Sequence, residues 1–241
     1  MKTTSNNSQM PFWNHVDELR SRVIKSLATV IIFSLVAYFF SDIFLQILSQ
    51  PDIDIMDKVN LQVLKVTSMF MIKIYISLVI GLMFSIPVIL YQVWKFVSPA
   101  IDKKLNFITL FMFMMSTIFF IGGAYFSYKT IIPLSISFFT SLTSQAVPVD
   151  YNITLENYLT YVIWMVFVGG LIFQLPIISI IFKRLGLIDH HLLRKGRRYA
   201  FLGIFIFAAV LTPPDPFSQL LFSVPLIVLY EISIVIIRFM K

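Results

Sequence analysis

The chain contains no cysteine and little charge, since only 13% of its 241 residues are Asp, Glu, Lys or Arg. A soluble domain typically has ~25% charged and ~45–50% apolar residues. Without cysteine, disulfides, thiolate nucleophiles and cysteine-ligated metal sites are excluded. The chain is instead 58% hydrophobic, with a mean hydropathy of +0.87. This composition predicts an integral membrane protein rather than a soluble enzyme.

Motifs for catalysis and cofactor binding are also lacking. Of the three histidines, His190 and His191 are adjacent and would point about 100° apart on a helix, which makes a poor metal-binding face. The sequence has neither a glycine-rich phosphate loop nor a Ser-His-Asp arrangement on one side of a membrane. We therefore expect no enzymatic activity and no cofactor. An internal repeat is not visible, so an inverted-repeat transporter architecture has no support.

Long apolar runs of 13 to 25 residues dominate the chain. A membrane-spanning helix needs ~20 apolar residues, whereas barrel strands are ~10-residue segments of alternating polarity. The runs therefore predict a single all-α membrane domain over residues 1–241, with six transmembrane helices and short last two spans. The expected spans, with loops between them and a polar collar over 1–22, are about 23–40, 69–91, 105–128, 158–182, 199–211 and 217–237.

The basic residues predict the topology. With the N-terminus inside, fifteen of the 19 Lys and Arg residues fall in inner segments, and only Lys58, Lys65, Lys73 and Lys129 fall in outer ones. This excess predicts that both termini lie on the inner side. It also accounts for the net charge of +7 without nucleic acid. The first apolar run begins at Val23 and lacks a cleavage site, so we expect the chain to insert where it is made.

The fifth span is unusually short. Its 13 residues would form roughly 20 Å of helix. The turn after it contains Pro213, Pro214 and Pro216, which lack backbone donors. Either the bilayer thins or the hairpin leans on other helices, or the helix extends past Tyr199 into the basic loop. Asp215, just before a proline in the first helical position, is expected to cap span six.

Polar side chains within spans are costly and often functional. Gln174 lies in span four, and it could form an interhelical clasp or a polar spot in a groove that a ligand visits. Glu231 lies in the inner half of span six. It could extend to the interface or pair with a base such as Lys95 or Arg198.

The collar Trp13–Arg22, WNHVDELRSR, leads directly into the first span. Glu18 and Arg22 are four residues apart, so a helix would place them on one face. One interpretation is that these charges only fix topology and solvate the helix. The other is that an acid held at the membrane surface accepts a guanidinium group of a basic ligand.

Four stretches of the chain together match a known pattern. In order they are HVDELRSR before span one, PVILYQVWKFVSPAI (Pro87–Ile101), FQLP (Phe173–Pro176) and LTPPDPFSQ (Leu211–Gln219). With them the chain resembles the TatC family, the multispanning receptor subunit of the twin-arginine protein translocase, from about Phe12 to Arg238. The Pro-Pro-Asp turn followed by Ser-Gln is the most specific of the four.

The resemblance implies a glove-like, concave six-helix bundle without a cofactor. It also implies a receptor that binds twin-arginine signal peptides of folded cargo and gathers TatA- and TatB-type single-span subunits for transport driven by the proton-motive force. Such a receptor is expected to form homo-oligomeric complexes in the lipid bilayer of an energy-coupling inner membrane. That membrane would be mitochondrial or of another organelle, or the bacterial plasma membrane.

The resemblance also assigns site residues by position. Pro87 matches the first inner loop. The expected signal-peptide contacts are Glu18, Arg20, Phe96, Ser98, Pro99 and, as a substitute, Asp102. The expected partner-helix groove contains Gln174, Pro176, Asp215, Gln219 and Glu231.

Two positions depart from the family pattern. The family usually has a glutamate in the first inner loop, where this chain has Leu105, and Asp102 is near enough to replace it. The family often has a glutamate in span four, where Gln174 keeps the hydrogen bonding and removes the desolvation cost of a charge. Two other functions remain open: a proton-coupled small-solute transporter, for which Glu231 would be the titratable group, and an insertase with a polar groove open to lipid.

Overall fold

The computed structural model describes residues 12–49, 59–101, 106–141, 151–211 and 216–240. In these residues the chain forms ten α-helices, one π-helical turn and a two-stranded sheet. Their order is α1 (Phe12–Phe39), α2 (Ser41–Ser49), β1 (Val59–Gln62), α3 (Ser68–Ile101), α4 (Asn106–Phe126), the π turn (Ser127–Ile131), α5 (Ile132–Ser141), β2 (Tyr151–Thr154), α6 (Leu155–Ile172), α7 (Leu175–Arg184), α8 (His190–Lys195), α9 (Arg197–Leu211) and α10 (Pro216–Phe239).

Five helical stretches in this part of the chain are long and apolar enough to cross a membrane. They are Val16–Phe39, Ser68–Phe96, Leu110–Ser141, Leu155–Arg184 and Pro216–Phe239. The predicted fifth span corresponds to α9, which has 15 residues and a length of roughly 22 Å. It begins two residues before Tyr199, so the extension into the basic loop is real but small.

The centre of the bundle is α6, which packs against α3 and α4. Its buried residues include Leu159, Val162 and Val168. A close backbone approach joins it to α4, because a Cβ atom at Gly123 would collide with the carbonyl oxygen of Gly169. Small residues allow such contact between helices in lipid, where dispersion and packing hold helices together.

The first helix, α1, packs mainly along α3 and exposes most of its surface. Only 6% of its apolar window is buried inside the protein. Its exposed residues include Leu27, Ile31 and Leu35. In a bilayer this surface contacts lipid, which is as apolar as the side chains themselves.

The predicted loop over 92–104 is wrong for residues 92–101, because α3 continues to Ile101. The extra turns are anchored by Trp94, which is 4% exposed and donates a hydrogen bond from Nε1 to Ser116 Oγ at 3.0 Å. This tie to α4 makes the polar stretch part of the bundle, and a polarity pattern alone does not reveal it.

The predicted polar loop over 129–156 is wrong as well, since helix continues through the π turn and α5 to Ser141. Pro133, within the predicted loop, lies in the first turn of α5, directly after the π turn, and such a turn absorbs a local break in the ladder of helix hydrogen bonds. Tyr128 in the turn donates a hydrogen bond to the Ile47 carbonyl of α2 at 2.6 Å.

Two segments predicted as loops pair as a parallel ribbon. In it β1 and β2 align from Val59 opposite Tyr151 to Gln62 opposite Thr154. The Gln62 side chain donates to Asn152 Oδ1 at 2.9 Å. Each strand precedes a long helix, α3 and α6 respectively, so the ribbon joins the ends of two spans.

The fourth span bends in the middle, because α6 ends at Ile172 and α7 begins at Leu175. Pro176 lies at the start of α7 and is buried. Beyond the bend, α7 packs against α10, which in turn packs against α9 and α8.

Candidate functional site

The collar forms the first turns of α1, and its two expected partners are together. Arg22 donates from Nε and Nη2 to Glu18 Oε1. The Glu18 and Arg22 side chains are 26% and 11% exposed. Arg22 also donates from Nη1 to Gln92 Oε1 of α3 at 3.4 Å, a long contact. The predicted shared face is therefore confirmed, and the carboxylate already accepts a guanidinium group.

The packing of α1 against α3 brings a second expected residue to the level of this pair. The Arg22–Gln92 contact fixes where the two helices meet, and with the Ser34–Leu78 hydrogen bond it shows that they run in opposite directions. Glu18 lies one turn before Arg22, and Phe96 lies one turn after Gln92, so both lie at the same height in the bundle. Phe96 is half-buried.

The other expected signal contacts are distributed around this end of α3. Arg20 is exposed on α1. Ser98 and Pro99 belong to the last turns of α3, by backbone position. Asp102 and Leu105 lie outside the described residues, so the proposed replacement of the missing glutamate stays a prediction.

Gln174, at the bend of the fourth span, is 6% exposed. Its Nε2 donates to the Ser116 carbonyl of α4 at 2.9 Å. The same serine accepts the indole hydrogen bond of Trp94, so one residue links α3, α4 and the α6–α7 bend. Of the two interpretations, the interhelical clasp describes this geometry. Ser116 and Trp94 were not singled out from the sequence, because neither stands out within an apolar helix.

An apolar cavity of about 350 Å³ is lined at one end by Thr117, which follows Ser116 of the clasp in α4. Its walls come from α2, α3, α4, α6 and the π turn, and include Phe44, Met83, Pro87, Thr117 and Tyr125. Because α3 is helical from Ser68 to Ile101, Pro87 lies within a span, as the predicted span 69–91 also places it. The position in the first inner loop that the resemblance gave to Pro87 is wrong. The cavity is open to the membrane-facing surface, as the 65% exposure of Tyr125 indicates.

The start of α10 is tied to two other helices. Gln219 Nε2 donates to the Phe205 carbonyl of α9 at 2.9 Å. The Ser218 and Ser135 hydroxyls are 3.2 Å apart, which links α10 to α5. Asp215, the expected cap, lies outside the described residues. The contact with α5 could not be anticipated while residues 129–156 were predicted to be a loop.

The start of α10 also carries an aromatic stack. The rings of Phe217 and Phe138 are parallel, with centroids 3.6 Å apart and planes 9° from each other. This stack reinforces the link between α10 and α5.

Near the other end of α10, Glu231 pairs with Arg197 of α9, whose Nη2 lies 2.6 Å from Oε2. The suggested partners Lys95 and Arg198 are wrong. Adjacent helix residues point about 100° apart, so Arg197 and Arg198 cannot both face Glu231. Arg198 instead lies over the Tyr199 ring at 5.9 Å. Lys95 lies over the ring of Tyr91, one turn earlier on its own helix.

A further ion pair joins the last turn of α7 to the residue before α8. Lys183 Nζ lies 2.6 Å from Asp189 Oδ1. Hydrogen bonds from the Lys183 side chain and then from the His190 backbone lower the pKa of Asp189, so this exposed carboxylate stays ionised. Among the described residues, no group of three or more His, Asp or Glu side chains is placed to hold a metal ion.

Comparison with known proteins first identifies the class. Residues 14–225 match the family model described as "Sec-independent protein translocase protein (TatC)". The chain is thus a multispanning membrane subunit of a Sec-independent protein translocase. It is 36% identical to the TatC protein of Carboxydothermus hydrogenoformans, over 96% of this chain and 94% of that one. It is 32% identical to that of Escherichia coli, over 95% and 88%. The chain belongs to the TatC family.

A solved structure agrees with this assignment. The crystal structure titled "Crystal Structure of Twin Arginine Translocase Receptor- TatC" matches with a TM-score of 0.84 at 31% identity, over 93% of this chain and 98% of that one. The all-α membrane fold and the resemblance are therefore confirmed. The bacterial relatives support a multipass location in the plasma membrane. Six spans and inner termini stay predictions.

Proposed function

We propose that this chain is the receptor subunit of a twin-arginine translocase and that it binds signal peptides of folded proteins at the N-terminal end of α1. The observation that carries the proposal is the Glu18 carboxylate, which accepts a guanidinium group at the level of half-buried Phe96. A signal arginine would share or replace the bonds that Arg22 makes. Charge-assisted pairs of this kind are roughly twice as strong as neutral hydrogen bonds.

The surroundings of Glu18 suit an extended basic peptide with an apolar segment. Phe96 offers an aromatic surface at the level of the carboxylate, and Arg20, Ser98, Pro99 and Asp102 are the further contacts we propose. Since Leu105 replaces the usual loop glutamate, Glu18 would carry most of the acidic recognition. The apolar part of the signal would lie along lipid-facing α1.

We further propose that single-span TatA- and TatB-type subunits dock against the membrane-facing cavity near the Gln174 clasp. The route by which these subunits are recruited would be bordered by Pro176, Asp215, Gln219 and Glu231. The proton-motive force would drive transport. The cavity walls are almost entirely apolar, which suits a transmembrane helix. The pairing of Glu231 with Arg197 towards the end of α10 weighs against a midplane site for a small-solute transporter.

Export of a folded reporter with a twin-arginine signal tests the first proposal, in a strain that lacks its own receptor subunit. Glu18→Gln removes the charged acceptor and keeps the shape, so we expect export to fall at least about tenfold, the equivalent of one charge-assisted bond. Asp17→Asn is the control, because Asp17 is the adjacent exposed acid. Unchanged export by Glu18→Ala would rule out this role.

A double-mutant cycle sharpens the same test. Replacing the arginine pair of the signal by lysines weakens binding to the natural chain, because lysine does not form bidentate bonds. In Glu18→Gln the same replacement has a smaller effect if the two groups interact. Equal effects in both backgrounds contradict a direct contact.

Crosslinking tests the second proposal, and the absence of cysteine from the chain gives a clean background. A cysteine at Tyr125, beside the cavity, is expected to crosslink to a TatA-type helix more strongly than a cysteine at Ile31 on α1. Both positions are exposed, at 65% and 61%. A stronger signal from Ile31 would place the partner on α1 instead.

A further inference from the structure

A second, smaller cleft lies between α8 and the last turns of α10, around the Glu231–Arg197 pair. Its volume is about 220 Å³. Three arginines line it, Arg194, Arg197 and Arg238, together with one glutamate, Glu231. Ile234 and Val235 form its apolar floor.

Helical spacing explains why these side chains converge. Glu231, Ile234, Val235 and Arg238 follow one another at intervals of three, one and three residues, so α10 presents them on one face. On α8, Arg194 shares a face with His190, four residues earlier, which also lines the cleft. The two helices are held together by Tyr230 of α10, whose hydroxyl donates to the Leu193 carbonyl at 2.8 Å.

The cleft has more positive charge than its own acid neutralises. Glu231 pairs with Arg197, and the ion pairs of the described residues include neither Arg194 nor Arg238. The Nε atom of Arg197 is buried, and in the described part of the chain it has no hydrogen-bond partner. An anion with several oxygens would satisfy these donors, and arginine binds phosphate through two parallel N–H···O bonds.

The position of the cleft indicates what carries the anion. α10 is long and apolar enough to span a membrane, and Arg238 lies in its last turn. Seven residues, or roughly 10 Å of helix, separate Arg238 from Glu231. The apolar floor therefore runs from the membrane surface into the hydrocarbon, and Val235 is 52% exposed along it.

We propose that this cleft binds the phosphate of an anionic phospholipid, with its acyl chain along Ile234 and Val235. A basic pocket at the end of a transmembrane helix matches such a headgroup in charge and depth. Free phosphate shares the headgroup chemistry but not the tail, so the two sources can be separated by experiment.

The test uses the purified full chain, freed of lipid in a neutral detergent. Phosphatidylglycerol, phosphatidylcholine with the same acyl chains, and inorganic phosphate are titrated separately, and bound molecules are counted by native mass spectrometry. We expect phosphatidylglycerol to bind in preference to both other probes. Arg194→Gln with Arg238→Gln should weaken its binding roughly 30-fold, since each basic residue near an anionic surface contributes about a fivefold effect.

The matched control is Arg184→Gln with Lys195→Gln, which removes the same charge from exposed residues outside the cleft. Equal weakening by the control pair would overturn the proposal, because it would indicate unspecific surface attraction. Equal binding of phosphatidylcholine, or inorganic phosphate as tight as phosphatidylglycerol, would also overturn it. If the double variant fails to fold, Arg238→Gln alone is expected to weaken binding about fivefold.

Discussion

The first and fourth spans are both apolar enough to cross a membrane, yet their environments differ sharply. Only 6% of the apolar window of α1 is buried against protein, compared with 61% for the stretch that contains α6 and α7. In water, apolarity separates core from surface. In lipid it does not, because the tails are as apolar as leucine. Close packing and interhelical hydrogen bonds, rather than hydropathy, distinguish the centre of this bundle from its edge.

These contacts assign different tasks to the two spans. The fourth span carries Gly169, which lies against α4, and Gln174, which clasps it. The contacts of α1 are mainly with α3, through pairs such as Arg22 with Gln92 and Ser34 with the Leu78 carbonyl. A central span thus provides a rigid frame, and a peripheral span presents its surface to lipid and to ligands.

The largest effect on stability is expected at the seam between α4 and α6. Gly123→Val introduces a Cβ atom where the Gly169 carbonyl lies, so the helices must separate, at a cost of about 3 kcal/mol or more. Gly122→Val is the control, because nothing lies within 4 Å of a Cβ atom there. Thermal unfolding in detergent measures both. Equal midpoints would show that the seam is not closely packed.

A smaller effect on stability is expected when the same substitution is compared in the fourth and the first span. Leu159→Ala on α6 removes a side chain that is 1% exposed and leaves a cavity, so we expect a loss of about 2–4 kcal/mol. Leu27→Ala on α1 removes one that is 57% exposed and faces lipid, so the change should stay below about 0.5 kcal/mol. A similar loss for both, measured by denaturant unfolding in micelles, would contradict the contrast between centre and edge.

The Gln174 clasp is expected to contribute about 1 kcal/mol. Gln174→Leu removes the hydrogen bond to the Ser116 carbonyl, and interhelical bonds of this kind are worth ~0.6–2 kcal/mol. The loss stays modest because leucine has no polar group to bury. Crosslinking of the Tyr125 cysteine variant to a TatA-type helix is measured on the same background. Intact crosslinking would exclude Gln174 from partner binding and leave it the structural role.

The smallest effect on stability is expected at the collar. The Glu18–Arg22 pair is an i,i+4 pair with Glu18 about a quarter exposed, and such pairs contribute roughly 0.3–0.5 kcal/mol. Glu18→Gln should therefore leave the unfolding midpoint almost unchanged while it lowers export. A large drop in the midpoint would mean that its effect on export reflects folding rather than recognition.

Much of the helical framework could be predicted from the sequence, because span length and apolarity follow from the thickness of the bilayer. The shortness of α9 and the pairing of Glu18 with Arg22 also follow from local spacing. The helical extensions to Ile101 and Ser141 could not be predicted. They depend on tertiary contacts, such as Trp94 with Ser116, that compensate for polar residues and for Pro133.

In the candidate sites, too, local pattern predicted some features and tertiary contacts decided the others. Residue types and motifs identified Glu18, Gln174, Gln219 and Glu231 as candidates, since polar groups beside or within spans need partners. They did not identify those partners. Whether Glu231 meets Arg197 or Arg198 depends on a rotation of about 100° around α9, which the packing of α9 on α10 decides.

The parallel ribbon of β1 and β2 affects the relative height and rotation of α3 and α6. Thr154 ends β2 and caps α6 directly, whereas five residues connect Gln62 to Ser68 at the start of α3. The ribbon thus sets the height and rotation of the first turn of α3 relative to the first turn of α6. One residue inserted in the first turn of α3 would shift the rest of that helix by about 1.5 Å and turn it by about 100° relative to α6. It would carry Gln92 and Trp94 out of alignment with their partners at the far side of the membrane.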